Sequence, residues 1–367
     1  MHFGYSREQE EFRAALRKLI ADRAPLSTVR ARLGDSHDAG LWRVLCDDMA
    51  LPALAAPEAY GGAGFSLIDT SVALSELGGA LAPVPALESV LAIEAVLRFG
   101  TESQKQQLLP DLCSGKRIAV VAIAGRENQG VGPRSVMVTT KRKDGAVLTG
   151  SQPHVLRGHI ADLLIIPASS PEGVHLYLVD RSSSGVTVRG RERAFDLTRP
   201  VSRVDLRGVE ATRLGNGSPA ELDALTDIAR TLLAAEMVGA AQACLDMSVQ
   251  YARYRVQFNR AIGSFQAIKH GCARRAVEID AAEAAMTWAT MLAANGDADL
   301  RIAAPLASAQ AADTFTACAG WNIQVHGGIG FTWEHDAHLY LRRAKADEVL
   351  FGTSADLRLM LADRIGI

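Results

Sequence analysis

The sequence predicts an α+β protein of several domains, in which a helical region, a small β-region and a second helical region follow one another. Apolar residues recur at helical spacing over residues 1–116 and again over residues 219–367. Between them, residues 117–218 contain short β-rich runs separated by Gly, Ser, Pro and Asp. A chain of 367 residues has room for two or three domains. We therefore expect domain boundaries near residues 116 and 218.

The N-terminal region opens with a clear helix start. Ser6 and Gln9 have the spacing of a capping box, and Phe12, Leu16 and Ile20 follow at helical spacing. Turn residues between 57 and 64 separate this part from later helical stretches. Further helices are predicted at residues 41–50, 69–81, 87–99 and 103–113.

The middle region contains six short runs typical of strands. Their spacing and the turn residues between them predict a small antiparallel sandwich or barrel. The runs are Ile118–Ile123, Ala146–Thr149, Leu163–Pro167, Val174–Val179, Val186–Val188 and Val201–Leu206.

The C-terminal region is rich in Ala and in long apolar periodic stretches. Four of them, linked by short connections, predict a four-helix bundle. They cover residues 222–254, 265–294, 304–319 and 336–348.

Composition argues against several classes of function. A net charge of −2 provides no basic field for nucleic acid. The five cysteines are scattered without a Cys-x-x-Cys pair, so we expect reduced thiols, a cytoplasmic location and no metal site. No apolar segment follows Met1 and no apolar run reaches about 20 residues. We therefore expect neither a signal peptide nor a membrane span.

Three segments of the last region form the most informative pattern. Residues 324–331 read Gln-Val-His-Gly-Gly-Ile-Gly-Phe, and residues 351–354 read Phe-Gly-Thr-Ser. They resemble the acyl-CoA dehydrogenase signature Q-x-H-G-G-x-G-[FY] followed by E-G-T. Residues 255–266 resemble the family pattern R-x-x-F-G-x-x-I-x-x-[FH]-Q, with Asn259 in place of the usual Gly. The order of helices, β-domain and helical bundle is also that of the acyl-CoA dehydrogenase fold.

The resemblance implies FAD as cofactor and assigns a set of residues to it. In the family, the matching residues clasp the adenosine and pyrophosphate of an FAD held mainly by a neighbouring subunit. The chemistry is intelligible, because Arg bonds two phosphate oxygens at once and glycines let backbone amides approach phosphate closely. The residues so assigned are Arg255, Phe258, Gln266, Gln324, Gly327, Gly328 and Thr353.

The sequence departs from the family where the catalytic base is expected. Dehydrogenation of an acyl-CoA thioester needs a carboxylate that removes the α-proton while a hydride moves to the flavin. The usual base position is Phe351, and the alternative position, just before an Arg of the long bundle helix, is Ala229. Neither side chain can take a proton. Asp227 and Glu236 are nearby carboxylates that could substitute.

The segments that hold the flavin ring in the family also differ. The motif T-E-P-x-x-G-S-D would fall on residues 124–131, which read Ala-Gly-Arg-Glu-Asn-Gln-Gly-Val. The second flavin motif, [WF]-I-T, would fall on His154-Val155-Leu156. Residues that hold a subunit's own flavin ring are therefore missing, whereas residues that clasp a neighbour's FAD are present.

Three hypotheses account for this division. In the first, the chain is the non-catalytic subunit of a heteromeric acyl-CoA dehydrogenase of lipid β-oxidation. A homologous catalytic partner then supplies the base, with one FAD per heterodimer in a heterotetramer. In the second, the chain is a self-sufficient homo-oligomer that uses Glu236 or Asp227 as base. In the third, it is an acyl-CoA-binding scaffold without redox chemistry.

The resemblance also implies the chemistry of the ligands and partners. Unequal-subunit enzymes of this type are known for CoA thioesters with bulky, steroid-like acyl groups. An electron-transfer flavoprotein is the electron acceptor that the family implies.

Overall fold

The structure is a computed structural model that describes residues 4–34, 37–123, 136–142, 145–190, 194–215 and 219–367. The predicted order of helices, β-strands and helices is confirmed in these residues. One large apolar core unites the N-terminal helices with the C-terminal bundle, and a second, smaller core fills the β-region.

Six helices form the described N-terminal region. Capping boxes at Ser6, Ser66 and Thr101 fix the first turn of three of them, because side chain and backbone satisfy each other's free groups. The six-residue helix that follows Pro25 was not predicted, since it is too short to show periodicity. The helices are α1 (Arg7–Arg23), α2 (Leu26–Ala31), α3 (Ala39–Met49), α4 (Leu67–Gly79), α5 (Ala86–Phe99) and α6 (Glu102–Cys113).

The described residues of the middle region form a seven-stranded sheet that closes on itself. The hydrogen-bonded order is β1-β4-β2-β3-β7-β5, and β5 pairs back with β4, so five strands form a closed ring; β6 pairs with β7. The strands are β1 (Ala119–Val121), β2 (Val136–Arg142), β3 (Gly145–Leu156), β4 (Leu163–Ser170), β5 (Gly173–Asp180), β6 (Val186–Gly190) and β7 (Val201–Arg213).

The predicted barrel is confirmed, but its predicted all-antiparallel pairing is wrong. Strand β4 runs parallel to β1 and to β2. Strand β2 itself was not predicted. Its seven residues include two threonines, a lysine and an arginine, so no apolar run marks it. The spacing of residues within a short segment does not show which distant strand it pairs with, or in which direction.

The C-terminal region has three long helices and two short ones in its described residues, rather than the four helices predicted. A two-stranded hairpin, β8 (Val256–Gln257) with β9 (Arg260–Ala261), separates the first two helices. The final helix was not predicted because it is short and its apolar residues form no long periodic stretch. The helices are α7 (Pro219–Tyr254), α8 (Gln266–Asn295), α9 (Leu300–His326), α10 (Ala337–Asp347) and α11 (Ser354–Ile365).

Helices α4 and α7 cross at unusually short separation. A β-carbon on Gly78 would overlap the carbonyl oxygen of Glu236, and one on Gly239 would overlap the carbonyl oxygen of Ser75. Glycine is required here because the two backbones touch. The crossing joins the N-terminal helices to the bundle and sets the position of Glu236.

Helix α7 contains the predicted apolar stretch of residues 222–254, which meets the length and composition of a membrane span although none was expected. Within Leu222–Tyr254 of α7, the most apolar 18-residue stretch has a mean hydropathy of 1.3, and the helix is long and apolar enough to cross a membrane. Within that segment, 67% of the most apolar stretch is buried inside the protein. Its burial is that of a core helix in a bundle.

Candidate functional site

The turn that connects α10 to α11 contains the expected base position. Phe351 is 3% exposed and has a left-handed backbone with φ of 57°, and Gly352 follows at φ of 117°. Thr353 then caps α11 in a capping box with Asp356. The guanidinium of Arg230 donates through Nε to the carbonyl oxygen of Phe351 at 2.9 Å. The phenyl ring is therefore buried in a turn that is anchored from α7.

Ala229, the alternative base position, is fully buried on α7. The neighbouring carboxylate Asp227 is engaged on two sides. It accepts from Arg230 Nη1 at 2.6 Å and from Arg364 Nη1 at 2.9 Å. Asp227 would have to give up these ion pairs before it could take a proton from a substrate.

Glu236 lies two turns further along α7 and is 6% exposed. Its carboxylate forms an ion pair with Arg199 Nη2. The same guanidinium donates through Nη1 to Asp347 at 3.0 Å. Burial alone would lower the pKa of Arg199, but Asp347 and Glu236 outweigh it and raise that pKa. Glu236 is thus fixed by a permanent cation.

Arg199 belongs to a larger group that we call the buried charge cluster. Its seven side chains come from α5, from the end of β3, from the segment before β7, from α7 and from α10. None of the seven is more than 6% exposed. The members are Glu88, Arg157, Asp196, Arg199, Glu236, Arg343 and Asp347.

The remaining contacts of the buried charge cluster are also short. Arg343 donates to Asp196 at 2.6 Å and to the hydroxyl of Thr198 at 2.5 Å. Burial would raise the pKa of Asp196, but Arg343 and Thr198 outweigh it and lower that pKa. Arg157 donates to the carbonyl of Thr198 at 3.0 Å and lies 3.6 Å from Glu88. Burial lowers the pKa of Arg157 to about 10.

Sequence reasoning missed this cluster except for Glu236. Arg and Asp are read as surface residues, and their burial depends on partners far along the chain. The signal that the sequence offered was the run Asp196-Leu197-Thr198-Arg199, whose polar residues lie just before Pro200 and the strand β7. Residues 124–131, the expected flavin motif, lie outside the described residues. In the second flavin motif Leu156 is buried and His154 is half-buried.

The residues assigned to the cofactor occupy a different part of the molecule, which we call the open face. Arg255, Phe258 and Gln266 lie on the β8–β9 hairpin and at the start of α8, and all three are exposed. Phe258 is 87% exposed. Gln324, Gly327 and Gly328 lie at the end of α9 and are exposed as well. Thr353 lies apart from them in the α10–α11 turn.

The hairpin of the open face explains one departure from the family pattern. Phe258 and Asn259 have φ of 53° and 61°, the left-handed conformation of a two-residue hairpin turn. Asn tolerates this conformation better than other non-glycine residues, so Asn259 serves where the family usually has Gly. The ring of Phe258 packs edge-on against Phe265 with centroids 6.0 Å apart.

Aromatic contacts join the two halves of the open face. The ring of Tyr251, near the end of α7, lies 4.2 Å from the ring of His326 at the end of α9. The carbonyl of Tyr251 accepts from the backbone N–H of Arg255, and Gly327 directly follows His326. A β-carbon on Gly327 or Gly328 would meet no described atom within 4 Å. The glycine backbone is thus accessible beside the Arg255 hairpin.

Three histidines lie behind the turn of the open face. The rings of His326 and His335 are 4.3 Å apart, and His338 packs edge-on against Trp333 at 4.5 Å. Neither ring nitrogen of His338 has a hydrogen-bond partner among the described residues. Burial lowers the pKa of all three imidazoles. In the part of the chain that the structure describes, no three His, Cys, Asp or Glu side chains are arranged as a metal site.

Comparisons with known proteins place this geometry in a family. Residues 6–116 match the family described as "Acyl-CoA dehydrogenase, N-terminal domain", and residues 215–366 match "Acyl-CoA dehydrogenase, C-terminal domain". The acyl-CoA dehydrogenase IpdE2 of Mycolicibacterium smegmatis is 33% identical over 349 residues, which is 95% of either chain.

Two solved structures are close in sequence and shape. A variant of the steroid ACAD Tcur3481-Tcur3483 has a TM-score of 0.89 and 31% identity, and the match covers 98% of either chain. The ChsE4-ChsE5 complex from Mycobacterium tuberculosis has a TM-score of 0.91 and 29% identity, and the match covers 100% of this chain and 99% of that one. A third, described as an FAD-dependent dehydrogenase, is 25% identical with a TM-score of 0.87 over 100% of both chains.

The matched regions together cover most of the chain, and they include both the interior around Phe351 and the open face. The relatives extend over nearly the same length, so the match concerns the whole chain rather than one module. The chain belongs to the acyl-CoA dehydrogenase family, whose members are FAD-dependent enzymes.

Proposed function

We propose that this chain is the non-catalytic subunit of a heteromeric acyl-CoA dehydrogenase and supplies the adenosine and pyrophosphate half of an FAD site shared with a catalytic partner. The observation that carries the proposal is the contrast at the two base positions. Phe351 and Ala229 cannot accept a proton, and both are buried. The open face, by contrast, keeps the residues that suit a dinucleotide.

The two carboxylates that could replace the base are both engaged in ion pairs. Asp227 is held by Arg230 and Arg364, and Glu236 is held by Arg199. A general base has to release its partner before it takes a proton, and a buried ion pair opposes that release. This arrangement argues against the self-sufficient enzyme that would use either residue.

The open face fits the nucleotide end of FAD. Arg255 projects a guanidinium into solvent, and such a fork binds a pyrophosphate through two hydrogen bonds. Gln266 and Gln324 present amide groups, and Phe258 presents an aromatic face. The glycine backbone at Gly327 and Gly328 is open to a phosphate. A scaffold without cofactor would need none of these features.

FAD, when bound, would accept the hydride that leaves the β-carbon of the acyl group. In our proposal this chain orients the adenosine and pyrophosphate, and the partner removes the α-proton. Thr353, which caps α11 beside Phe351, is the further residue that we assign to the cofactor. The residues of this chain therefore bind and orient, and they transfer no proton.

The relatives suggest the partner and the class of substrate. The similar structures include a complex of two named chains and a protein described as a steroid ACAD. We infer a heterotetramer with a homologous catalytic subunit, acting on a CoA thioester with a bulky, steroid-like acyl group. We also propose an electron-transfer flavoprotein as acceptor, a cytoplasmic location, and domain boundaries near residues 116 and 218.

Flavin content tests the proposal. The visible absorption spectrum of the chain purified alone should lack a flavin band, and the chain co-expressed with a homologous catalytic subunit should be yellow. Addition of an acyl-CoA substrate to the yellow complex should bleach the band. A chain that is yellow alone and bleached by substrate would support the self-sufficient enzyme instead. A complex that never binds flavin would support the scaffold.

A further inference from the structure

The buried charge cluster contains one more carboxylate than guanidinium among its described members. Glu88, Asp196, Glu236 and Asp347 face Arg157, Arg199 and Arg343, and all seven are buried. An uncompensated charge in such an interior is strongly unfavourable, so the group neutralises by taking a proton. The net charge of these seven groups is zero when one of the four carboxyl groups is protonated.

The way in which the four carboxylates pair with the three guanidiniums indicates where the surplus carboxylate lies. Asp196 has Arg343 and two further donors from Thr198, and Glu88 has Arg157. Glu236 and Asp347, however, share the single guanidinium of Arg199. Glu236 pairs with Nη2 of Arg199, and Asp347 accepts from Nη1 at 3.0 Å. Asp347 is therefore one of two buried carboxyls that have a single cation between them.

The surroundings of Asp347 agree with this assignment. It is 2% exposed at the end of α10. Burial raises its pKa to about 7, Arg199 and Arg343 oppose the rise, and Glu236 and Asp196 add to it. These four groups face it from α7, from α10 itself and from the segment before β7.

Asp347 also lies directly before the turn that contains the base position. Its carbonyl oxygen accepts from the backbone N–H of Leu350 at 3.0 Å. Phe351 follows with its left-handed backbone, held from the opposite side by Arg230. Asp347, whose side chain is anchored to Arg199, thus holds one end of the turn through its carbonyl oxygen, and Arg230 holds the other.

We propose that Asp347 carries the surplus proton of the buried charge cluster at neutral pH and positions the Leu350–Thr353 turn. Loss of the proton leaves a net negative charge between Arg199, Glu236 and Asp196. That charge is relieved when the end of α10 moves towards solvent, and the turn moves with it. Because we assign Thr353 to the shared FAD, this part of the inference rests on the proposed function. FAD then binds more weakly as the pH rises above neutrality.

Direct titration of the aspartate carboxyl groups in the wild-type chain observes the proton itself, and the Asp347→Asn chain assigns its signal. The chain is prepared with [4-¹³C]aspartate, and carboxyl resonances are followed against pH. We expect one aspartate with a midpoint near neutral pH, absent from the Asp347→Asn chain. Aspartates that all titrate in the acidic range would overturn the inference.

Unfolding equilibria provide a second, independent readout. Asn at position 347 mimics the protonated carboxyl. The Asp347→Asn chain should therefore fold, and its stability should lose the pH dependence that the carboxyl of Asp347 causes. The ratio of the unfolding constants, wild type over Asp347→Asn, should rise about tenfold per pH unit between about pH 4 and 7 and then level off. Asp38→Asn is the matched control, because Asp38 is a buried helix cap paired singly with Arg32. Its ratio should not change with pH near neutrality, and a flat ratio for Asp347→Asn would contradict the proposal.

FAD binding to the complex with the partner subunit separates this inference from the proposed function. The dissociation constant should rise between about pH 6.5 and 8.5 for wild type and stay constant for Asp347→Asn. A flat wild-type profile would remove the positioning role of Asp347. A complex that binds no FAD at any pH would refute the proposed function, and the ¹³C titration would still decide where the proton is.

Discussion

Polar side chains are exposed on the open face but buried in ion pairs in the interior around Phe351. On the open face, Arg255, Gln266 and Gln324 project into solvent beside an accessible glycine backbone. Around Phe351, the nearby carboxylates are buried against guanidiniums. A surface that binds a ligand from outside keeps its donors exposed, whereas a closely packed interior neutralises its charges internally. This contrast is the one we expect under our proposal that the chain assists a partner's site and lacks a complete site of its own.

The largest effect that we expect comes from removal of the central cation of the interior. Arg199→Ala leaves Glu236 and Asp347 buried without the guanidinium they share. The free energy of unfolding should fall by about 3–5 kcal/mol, as measured by urea unfolding. Arg203→Ala is the control, because Arg203 is paired with Asp205 on the surface of β7, and it should cost less than about 1 kcal/mol. Equal effects would mean that the interior cluster contributes little.

The next effect concerns the open face. In our proposal Arg255 makes a charge-assisted contact to the cofactor. Arg255→Ala would remove it, and the affinity of the complex for FAD should then fall by roughly 10- to 100-fold, the equivalent of about 1.5–3 kcal/mol. Stability of the chain should hardly change, because Arg255 is exposed. Fluorescence titration with FAD measures the affinity. Arg253→Ala, an exposed arginine two residues earlier, is the matched control and should leave the affinity unchanged. Loss of affinity in both variants would indicate a general charge effect.

The helix crossing behind the interior should be nearly as sensitive. Gly239→Ala places a methyl group against the Ser75 carbonyl, so α4 and α7 have to separate. Overpacking of this kind costs about 1–3 kcal/mol, which thermal unfolding would detect. Gly296→Ala is unsuitable as a control because Gly296 has a left-handed backbone. Gly320, on α9 with open space around it, is suitable, and Gly320→Ala should be neutral or stabilising.

The smallest effect that we expect is a loss of stability at acidic pH caused by the three histidines behind the open face. Burial lowers the pKa of His326, His335 and His338, so the folded state binds fewer protons than the unfolded state. Their contribution to stability is present above about pH 6.5 and is lost as the pH falls below it. His338→Phe should reduce this loss, because its ring nitrogens have no hydrogen-bond partner to lose in the described residues. Urea unfolding at about pH 7.5 and 5.5, on either side of the ordinary imidazole pKa, measures the difference. An unchanged pH dependence would exclude His338 as a contributor.

The sequence predicted the elements whose signals are local. Capping residues such as Ser6 and Thr101, and the long apolar period of α7, mark helices without knowledge of the fold. The replacement of the family's catalytic base at Phe351 and Ala229 could also be recognised from the sequence alone, because the neighbouring motif residues align these positions with the family pattern. Family membership followed from these motifs and is confirmed by the comparisons.

The features that escaped prediction depend on contacts between distant segments. Arg199 and Asp347 are 148 residues apart, and neither has a local signal for burial. The parallel pairing of β1 with β4 likewise joins segments that lie far apart along the chain. Asp227 and Glu236 were recognised as the carboxylates near Ala229, but the arginines that hold them come from elsewhere in the chain, except Arg230. Chemistry at a site depends on such partners as much as on the residues that a motif names.

The ratio of FAD to protein in the purified two-subunit complex tests the central claim most directly. Native mass spectrometry of the complex counts chains and bound cofactor in one experiment. We expect one FAD for each pair of unlike chains, because in our proposal this chain clasps its partner's cofactor and holds none of its own. One FAD for every chain would contradict it, since the interior around Phe351 would then have to accommodate a flavin after all.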